Sequence, residues 1–183
     1  IDSSIISYNI AKKTLKKTRG KYVLINLHRH ENLNSRERLG KIVNILKGIK
    51  INAIWPIHAN TAKSIEKFGM VGEIKNMGNI KLMSLVDYTD FIFLLANCKY
   101  LITDGGSIQE ESLVFKKPCI ILRKRTERQE GLYTGINFLT KLDVEKTRKI
   151  IGHIESGKIK IKKFKNPYGE RGLSRKIIGE LLK

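Results

Sequence analysis

The 183-residue chain carries 36 Lys and Arg against 17 Asp and Glu, a formal charge of +19, with 41% hydrophobic residues. That length supports one well-buried core, and no Pro-, Gly- or Ser-rich stretch divides it, so a single globular domain is the default. No apolar run approaches the roughly 18 residues of a membrane span and no signal-peptide pattern opens the sequence, so a cytoplasmic protein without a membrane partner is expected.

A charge of this size invites nucleic-acid binding, because phosphate polymers bind basic surfaces by counterion release. Its distribution argues against that partner. Lysines such as Lys12, Lys13, Lys16 and Lys17, and those between 158 and 165, are scattered over expected helix faces and both ends, without aromatics interleaved as stacking platforms. A solvated basic surface that draws in a small anionic ligand is the simpler reading. Cys98 and Cys119 lie in apolar surroundings without metal-ligand spacing and read as buried free thiols, so no metal is expected.

In chain order, Ile5, Ile6, Ile10 and Leu15 fit a helix over roughly 4–18, ended by Arg19-Gly20. Tyr22 to Leu27 is a short apolar strand, His28 to Asn32 a polar loop, and Ser35 the cap of a helix whose apolar face is Leu39, Ile42, Val43 and Leu46. Ile51 to Ile57 reads as a strand, Asn60 to Phe68 as a helix, Ile80 to Met83 as a strand and Asp87 to Asn97 as a helix. Tyr100 to Thr103 is a buried strand, Ser107 to Phe115 a helix and Pro118 to Leu122 a further strand, before an Asn166 to Gly169 turn and a terminal helix over Ser174 to Leu182. Strands alternating with helices imply an α/β fold: a Rossmann-like parallel sheet with helices on both faces. In such sheets ligands sit beyond the carboxyl ends of the strands, where His28, His58, Asp104 and Arg123 fall.

The run from Leu101 to Glu111 is the richest in chemistry. An apolar strand enters Gly105-Gly106 and then a helix opening near Ser107, so backbone amides and the positive end of the helix dipole can meet an anionic group. Glu110 and Glu111 lie about one turn further in, where a carboxylate can accept from ribose hydroxyls without meeting the phosphates. The same strand, turn and helix also build any βα unit, so the run alone leaves both readings open.

Six segments, in order, resemble one family. Leu27-His-Arg-His-Glu-Asn32 is similar to a Thr-His-Arg-Arg-Glu-Asn loop, Trp55-Pro-Ile-His-Ala-Asn60 to Tyr-Pro-x-His-x-Asn, and Val86-Asp-Tyr-Thr-Asp-Phe91 to Leu-Asp-Tyr-x-Asp-Phe. Thr103 to Glu111 resembles Thr-Asp-Ser-Gly-Gly-x-Gln-Glu-Glu, Arg123 to Glu130 resembles Arg-x-x-Thr-Glu-Arg-Pro-Glu, and Asn166-Pro-Tyr-Gly169 matches the turn before a last helix. These are motifs of the non-hydrolysing UDP-N-acetylglucosamine 2-epimerases, in their C-terminal domain. The resemblance covers essentially the whole chain and implies one half of a GT-B-type two-domain fold. Residues 1–183 would form the UDP-binding domain, with 1–19 the crossover helix and 170–183 the terminal helix, and the N-terminal domain absent.

The resemblance also implies roles. Gly105, Gly106 and Ser107 would meet the diphosphate, Glu111 the ribose with Glu110 beside it, and Phe91 the uracil. His28 would reach the diphosphate or sugar as a residue important for activity. Arg29 and His58 resemble positions around the substrate or a second, regulatory UDP-sugar site. Arg128 is expected to clamp phosphate or sugar with Glu127 as its ionic partner, and Gln109 to support its acidic neighbour. The partners implied are UDP, a UDP-N-acetylhexosamine and the N-terminal catalytic domain, with no cofactor. An apolar surface normally covered by that domain could instead pair two copies as a homodimer. Gly105-Gly106-Ser107 stands where the family has Ser-Gly-Gly, and Arg128-Gln129-Glu130 where it has Arg-Pro-Glu, which puts side-chain contacts and the sugar pocket in doubt. Competing readings are the donor half of a GT-B glycosyltransferase, a stand-alone UDP-sugar binding module, and a basic nucleic-acid binder.

Overall fold

A computed structural model describes residues 1–15 and 21–182. The chain opens with helix α1 (Asp2–Thr14), followed by β1 (Tyr22–Asn26), α2 (His30–Leu33), α3 (Arg36–Leu46) and β2 (Asn52–Ile57). Then come α4 (Ala59–Lys67), α5 (Val71–Lys75), β3 (Ile80–Ser84), α6 (Tyr88–Asn97), β4 (Tyr100–Thr103) and α7 (Ser107–Val114). The last elements are β5 (Cys119–Ile121), α8 (Gln129–Leu132), β6 (Asn137–Leu139), α9 (Val144–Glu155) and α10 (Leu173–Leu181). The expected end of the first helix at Arg19-Gly20 lies outside the described residues.

All six strands are parallel, in the order β3-β2-β1-β4-β5-β6. The chain therefore winds outward from β1 in one direction and from β4 in the other, which opens a crevice between their carboxyl ends, the usual ligand position of a doubly wound sheet. Every residue of β1, β4 and β5 is buried, as parallel strands covered on both faces must be. Alternation then sorts their side chains. Val23, Ile25, Tyr100, Ile102 and Ile120 face one core with Trp55, Leu39, Ile42 and Ile151, while Tyr22, Leu24, Leu101, Cys119 and Ile121 face the other with Phe91 and Leu95. Helices α3 and α9 pack over the first face and α6 and α7 over the second, with α1 against α6 and α7. Both cysteines are buried, and burial pushes the Cys98 thiol up to about 12, so neither is a reactive thiolate at neutral pH.

Pro56 lies inside β2 without breaking the sheet. Pairing with β1 stops at Ile54, so the proline's missing N–H falls where only β3 is a neighbour. Five elements depart from the sequence reading. The His28–Asn32 loop closes into the short turn α2, and α5, α8, β6 and α9 are additions. Helix α9 carries its own signal: the Asp143 carboxylate accepts from the Lys146 N–H at 2.9 Å, and Ile151 and Ile154 are buried on one face. Among the described residues no helix is long and apolar enough to cross a membrane. Asp143→Ala is expected to lower stability by about 1 kcal/mol, read as a shifted denaturant midpoint with an unchanged slope.

Candidate functional site

At the crevice, the carboxyl end of β4 supplies Asp104, whose side chain is fully buried. Its Oδ1 accepts from the His28 N–H at 3.0 Å, and its Oδ2 from the Arg29 N–H at 3.1 Å and from Asn32 Nδ2 at 2.9 Å. Asn32 Nδ2 also donates to the Leu122 carbonyl at 3.0 Å, and Asn32 Oδ1 accepts from Arg38 Nη2 at 2.8 Å. The loop after β1 is thereby held against β4 and β5 by a buried carboxylate whose charge is met by three donors.

The glycine turn follows. Thr103 Oγ1 lies 3.3 Å from Asn26 Oδ1 and accepts from the Gly105 N–H at 2.9 Å, so that amide is satisfied inside the turn. Gly105 therefore serves chiefly by lacking a side chain: a Cβ there would lie 3.3 Å from both His28 Cε1 and Thr103 Oγ1. Gly106 is the N-cap of α7, with no side-chain cap, which leaves the amides opening the helix without an intrahelical partner. Ser107 is exposed at this end. Gln109 is buried and fixes the turn from behind. Its Nε2 donates to the Gly105 carbonyl at 2.7 Å, and its Oε1 accepts from Thr126 Oγ1 at 2.7 Å, joining the glycine turn to the loop after β5.

Three residues converge on the turn. The rings of His28 and His58 are 5.2 Å apart, and Arg29 Nη2 would lie 3.7 Å from a Cβ at Gly106. Burial, and then the neighbouring His28, lower the His58 pKa, which favours its neutral imidazole. His28 Nδ1 stands 3.7 Å from Asp104 Oδ1.

The adjacent acids Glu110 and Glu111 diverge. Glu110 Oε1 accepts from Arg128 Nε at 2.6 Å. The expected Arg128–Glu127 pair is thus not formed: Glu127 instead takes both ends of the Arg123 guanidinium, at 2.6 and 2.8 Å, four residues back along the loop. This forked contact holds the Glu127 carboxyl at about 2. Glu111 turns the other way. Its Oε1 accepts from Tyr88 Oη at 2.9 Å, while its Oε2 is buried without a hydrogen-bond partner. Burial raises its pKa, and the Tyr88 donor opposes that rise. Phe91, expected beside a base, is 8% exposed and belongs to the second core. Tyr168, in the Asn166–Gly169 turn, accepts the Gly131 N–H at 3.0 Å and so anchors the start of the C-terminal segment beside α8. Among the described residues no group of His, Cys, Asp and Glu is arranged to hold a metal ion.

The family model for UDP-N-acetylglucosamine 2-epimerase matches residues 1–182. The chain belongs to that family. It is 36% identical to the UDP-N-acetylglucosamine 2-epimerase of Methanococcus maripaludis, over 97% of this chain and 51% of that protein. The structure of the Methanocaldococcus jannaschii UDP-GlcNAc 2-epimerase, in complex with UDP-GlcNAc and UDP, superposes with a TM-score of 0.83 at 31% identity, covering 99% of this chain and 52% of that one. An E. coli heptosyltransferase, at 12% identity and a TM-score of 0.54, shares the fold alone, over 79% of this chain and 46% of its own. This epimerase-family chain thus has the Rossmann-like architecture of one half of a GT-B-type fold, and it spans about half the length of the relatives it matches.

Asp104, Asn32 and Tyr88 are residues of this family member's site to which the sequence assigns no role, while Gln109, expected to support its acidic neighbour, instead ties the Gly105 carbonyl to Thr126. The signal for Asp104 was its place at the end of an otherwise apolar strand. For Gln109 and Tyr88 only three-dimensional contacts reveal the part played. Asp104→Ala strands two backbone donors and Asn32, and is expected to cost about 3 kcal/mol in chemical denaturation. Glu111→Gln is expected to act oppositely. A carboxyl whose pKa is raised by folding binds its proton more tightly in the folded state, so its ionised form destabilises the fold. The substitution should raise the melting temperature at pH 7, and the gain should vanish below about pH 4, where folded and unfolded carboxyls are both protonated.

Proposed function

We propose that this chain is the UDP-binding half of a two-domain 2-epimerase that interconverts UDP-N-acetylglucosamine and UDP-N-acetylmannosamine. The observation that carries the reading is the uncapped start of α7 at the switch point of the sheet, with Glu111 one turn further in and one of its oxygens unpartnered. Unpaired amides at a helix start suit a diphosphate, and a buried carboxylate oxygen suits a vicinal diol. In this reading Gly105, Gly106 and Ser107 line the diphosphate, Glu111 receives the ribose hydroxyls, and Phe91 backs the uracil pocket from the core. His28 donates to the diphosphate or sugar, Arg29 and His58 flank the substrate or a regulatory UDP-sugar, and Arg128 exchanges its Glu110 partner for an oxyanion.

The reaction breaks the bond between C1 of the sugar and the UDP oxygen as a base removes the C2 proton, giving 2-acetamidoglucal and UDP. Protonation of C2 on the opposite face and return of UDP to C1 complete the inversion. The nucleotide leaves and must be retained. Backbone amides and cations that keep hold of it stabilise the departing charge and keep its effective concentration high for the return step. The proton-moving groups belong to the other half, so the chain alone binds without turnover. The cytoplasm, where nucleotide sugars for cell-surface polysaccharides are made, is the compartment this assignment implies.

Calorimetry with UDP and UDP-N-acetylglucosamine tests the assignment. The chain should bind UDP with micromolar to millimolar affinity and resist competition by DNA or RNA, while Glu111→Ala and Gly105→Ala should each weaken binding by on the order of tenfold, about 1.4 kcal/mol. Absence of UDP binding to a folded chain, or displacement by nucleic acid, would overturn it.

A further inference from the structure

The Asp-Tyr pair that opens α6 contains a group with no part in the scheme above. Asp87 is the helix cap, its Oδ1 accepting from the Asp90 N–H at 2.8 Å. Tyr88 is the first residue of the helix, and its side chain reaches across to α7, where its hydroxyl meets Glu111 Oε1 at 2.9 Å. On its other side the same hydroxyl lies 3.2 Å from Ser4 Oγ of α1, a residue only 1% exposed. The phenol has one proton and two lone pairs. Burial raises its pKa, so at neutral pH that proton is present, and it points to the carboxylate, which has none to give. The Ser4 hydroxyl is then the donor to Tyr88. The result is a directed chain from Ser4 to Tyr88 to Glu111 that joins three helices, each bond polarising the next.

We propose that Tyr88 is a positioning residue for nucleotide recognition: by holding Glu111 Oε1, with Ser4 behind it, it turns Oε2 toward the ribose diol and makes the site selective for ribose over 2′-deoxyribose. The inference rests on the assignment of Glu111 to the ribose. A lone carboxylate at a helix surface samples several rotamers, and a diol is gripped well only when the carboxylate plane is set beforehand. Here one oxygen is tied down and the other is buried with nothing to accept from. Tyr88 itself is 45% exposed, so a conservative change there disturbs little packing. Ser4 extends the control to α1, whose packing against α6 thereby bears on the orientation of the ribose acceptor.

The test compares UDP with 2′-deoxy-UDP by calorimetry on the unaltered chain, Tyr88→Phe, Ser4→Ala, Glu111→Ala and the double variant Tyr88→Phe/Glu111→Ala, with thermal unfolding to confirm that each is folded. The unaltered chain should prefer UDP by on the order of tenfold. Tyr88→Phe should bring that ratio down to about twofold while leaving 2′-deoxy-UDP affinity unchanged, Ser4→Ala should fall between, and the double variant should match Glu111→Ala. A Tyr88→Phe protein that keeps the full ratio, or that loses both nucleotides equally, overturns the proposal while leaving the UDP assignment standing. No preference in the unaltered chain, or a preference that survives Glu111→Ala, removes the ribose assignment and this inference with it. Failure of the unaltered chain to bind UDP removes the functional reading as a whole.

Discussion

The site depends first on the burial of the Asp104 carboxylate. A charge taken out of water is tolerated only where donors surround it, and here the donors are two consecutive backbone amides and a side-chain amide from one loop. The requirement works in both directions. Asp104 needs the loop after β1 in place, and that loop, whose own amides would otherwise be stranded, needs Asp104. His28 and Arg29 are consequently set at the mouth of the crevice by their backbones, leaving their side chains available for other partners. Gln109 performs the equivalent function for the glycine turn, tying its carbonyl to the loop after β5 through Thr126. Two buried polar residues thus carry the relative placement of three strand-end loops, and neither needs to touch a ligand to do so.

Two arginines at the crevice are paired with acids. Arg123 is forked onto Glu127 and Arg128 holds Glu110 through one contact, with Glu31 a further 3.7 Å from Arg123 Nε. The two pairs differ in their surroundings. Arg123 is nearly buried and its contact is bidentate, which makes it a brace for the loop. Arg128 holds its acid through a single, partly exposed contact, and solvent-screened pairs of this kind are worth little, so exchange for a phosphate oxygen is cheap. In the proposed function, a guanidinium held by a weak partner would be oriented before the ligand arrives without being lost to it.

Much of this was legible in the chain itself. The buried runs of β1, β4 and β5, the Ser35 and Asp87 caps, and the glycine turn all follow from local pattern, because each is dictated by residues adjacent in sequence. The strand β6, three residues long, is too short to show periodicity and exists because β5 offers it an edge. Helix α9 carries a local signal in Asp143 and its spaced isoleucines. Ion-pair choice is a different matter. Arg128 has an acid immediately before it in sequence, but that acid is claimed by Arg123 and the partner comes from α7, 18 residues away. Sequence proximity favours the wrong pairing because Glu127 is already held at both oxygens by Arg123.

Glu111 is a local cost to stability at this site. A buried carboxylate oxygen with no donor is a cost that folding alone gives no reason to bear, and the opposing contribution from Tyr88 reduces it without removing it. Full satisfaction by a second donor would make the fold more stable and would also occupy the oxygen assigned to ribose in the proposed function. The arrangement observed has one oxygen fixed by Tyr88 and the other buried without a donor, in a place too dry for the carboxylate to be indifferent. The diphosphate reading follows a similar logic, since amides at a helix start keep their geometry and charge whether the nucleotide is bonded to sugar or free. Under the proposed function, a site built from such fixed parts would release the sugar while retaining the nucleotide, which elimination followed by re-addition would demand of a UDP-binding half.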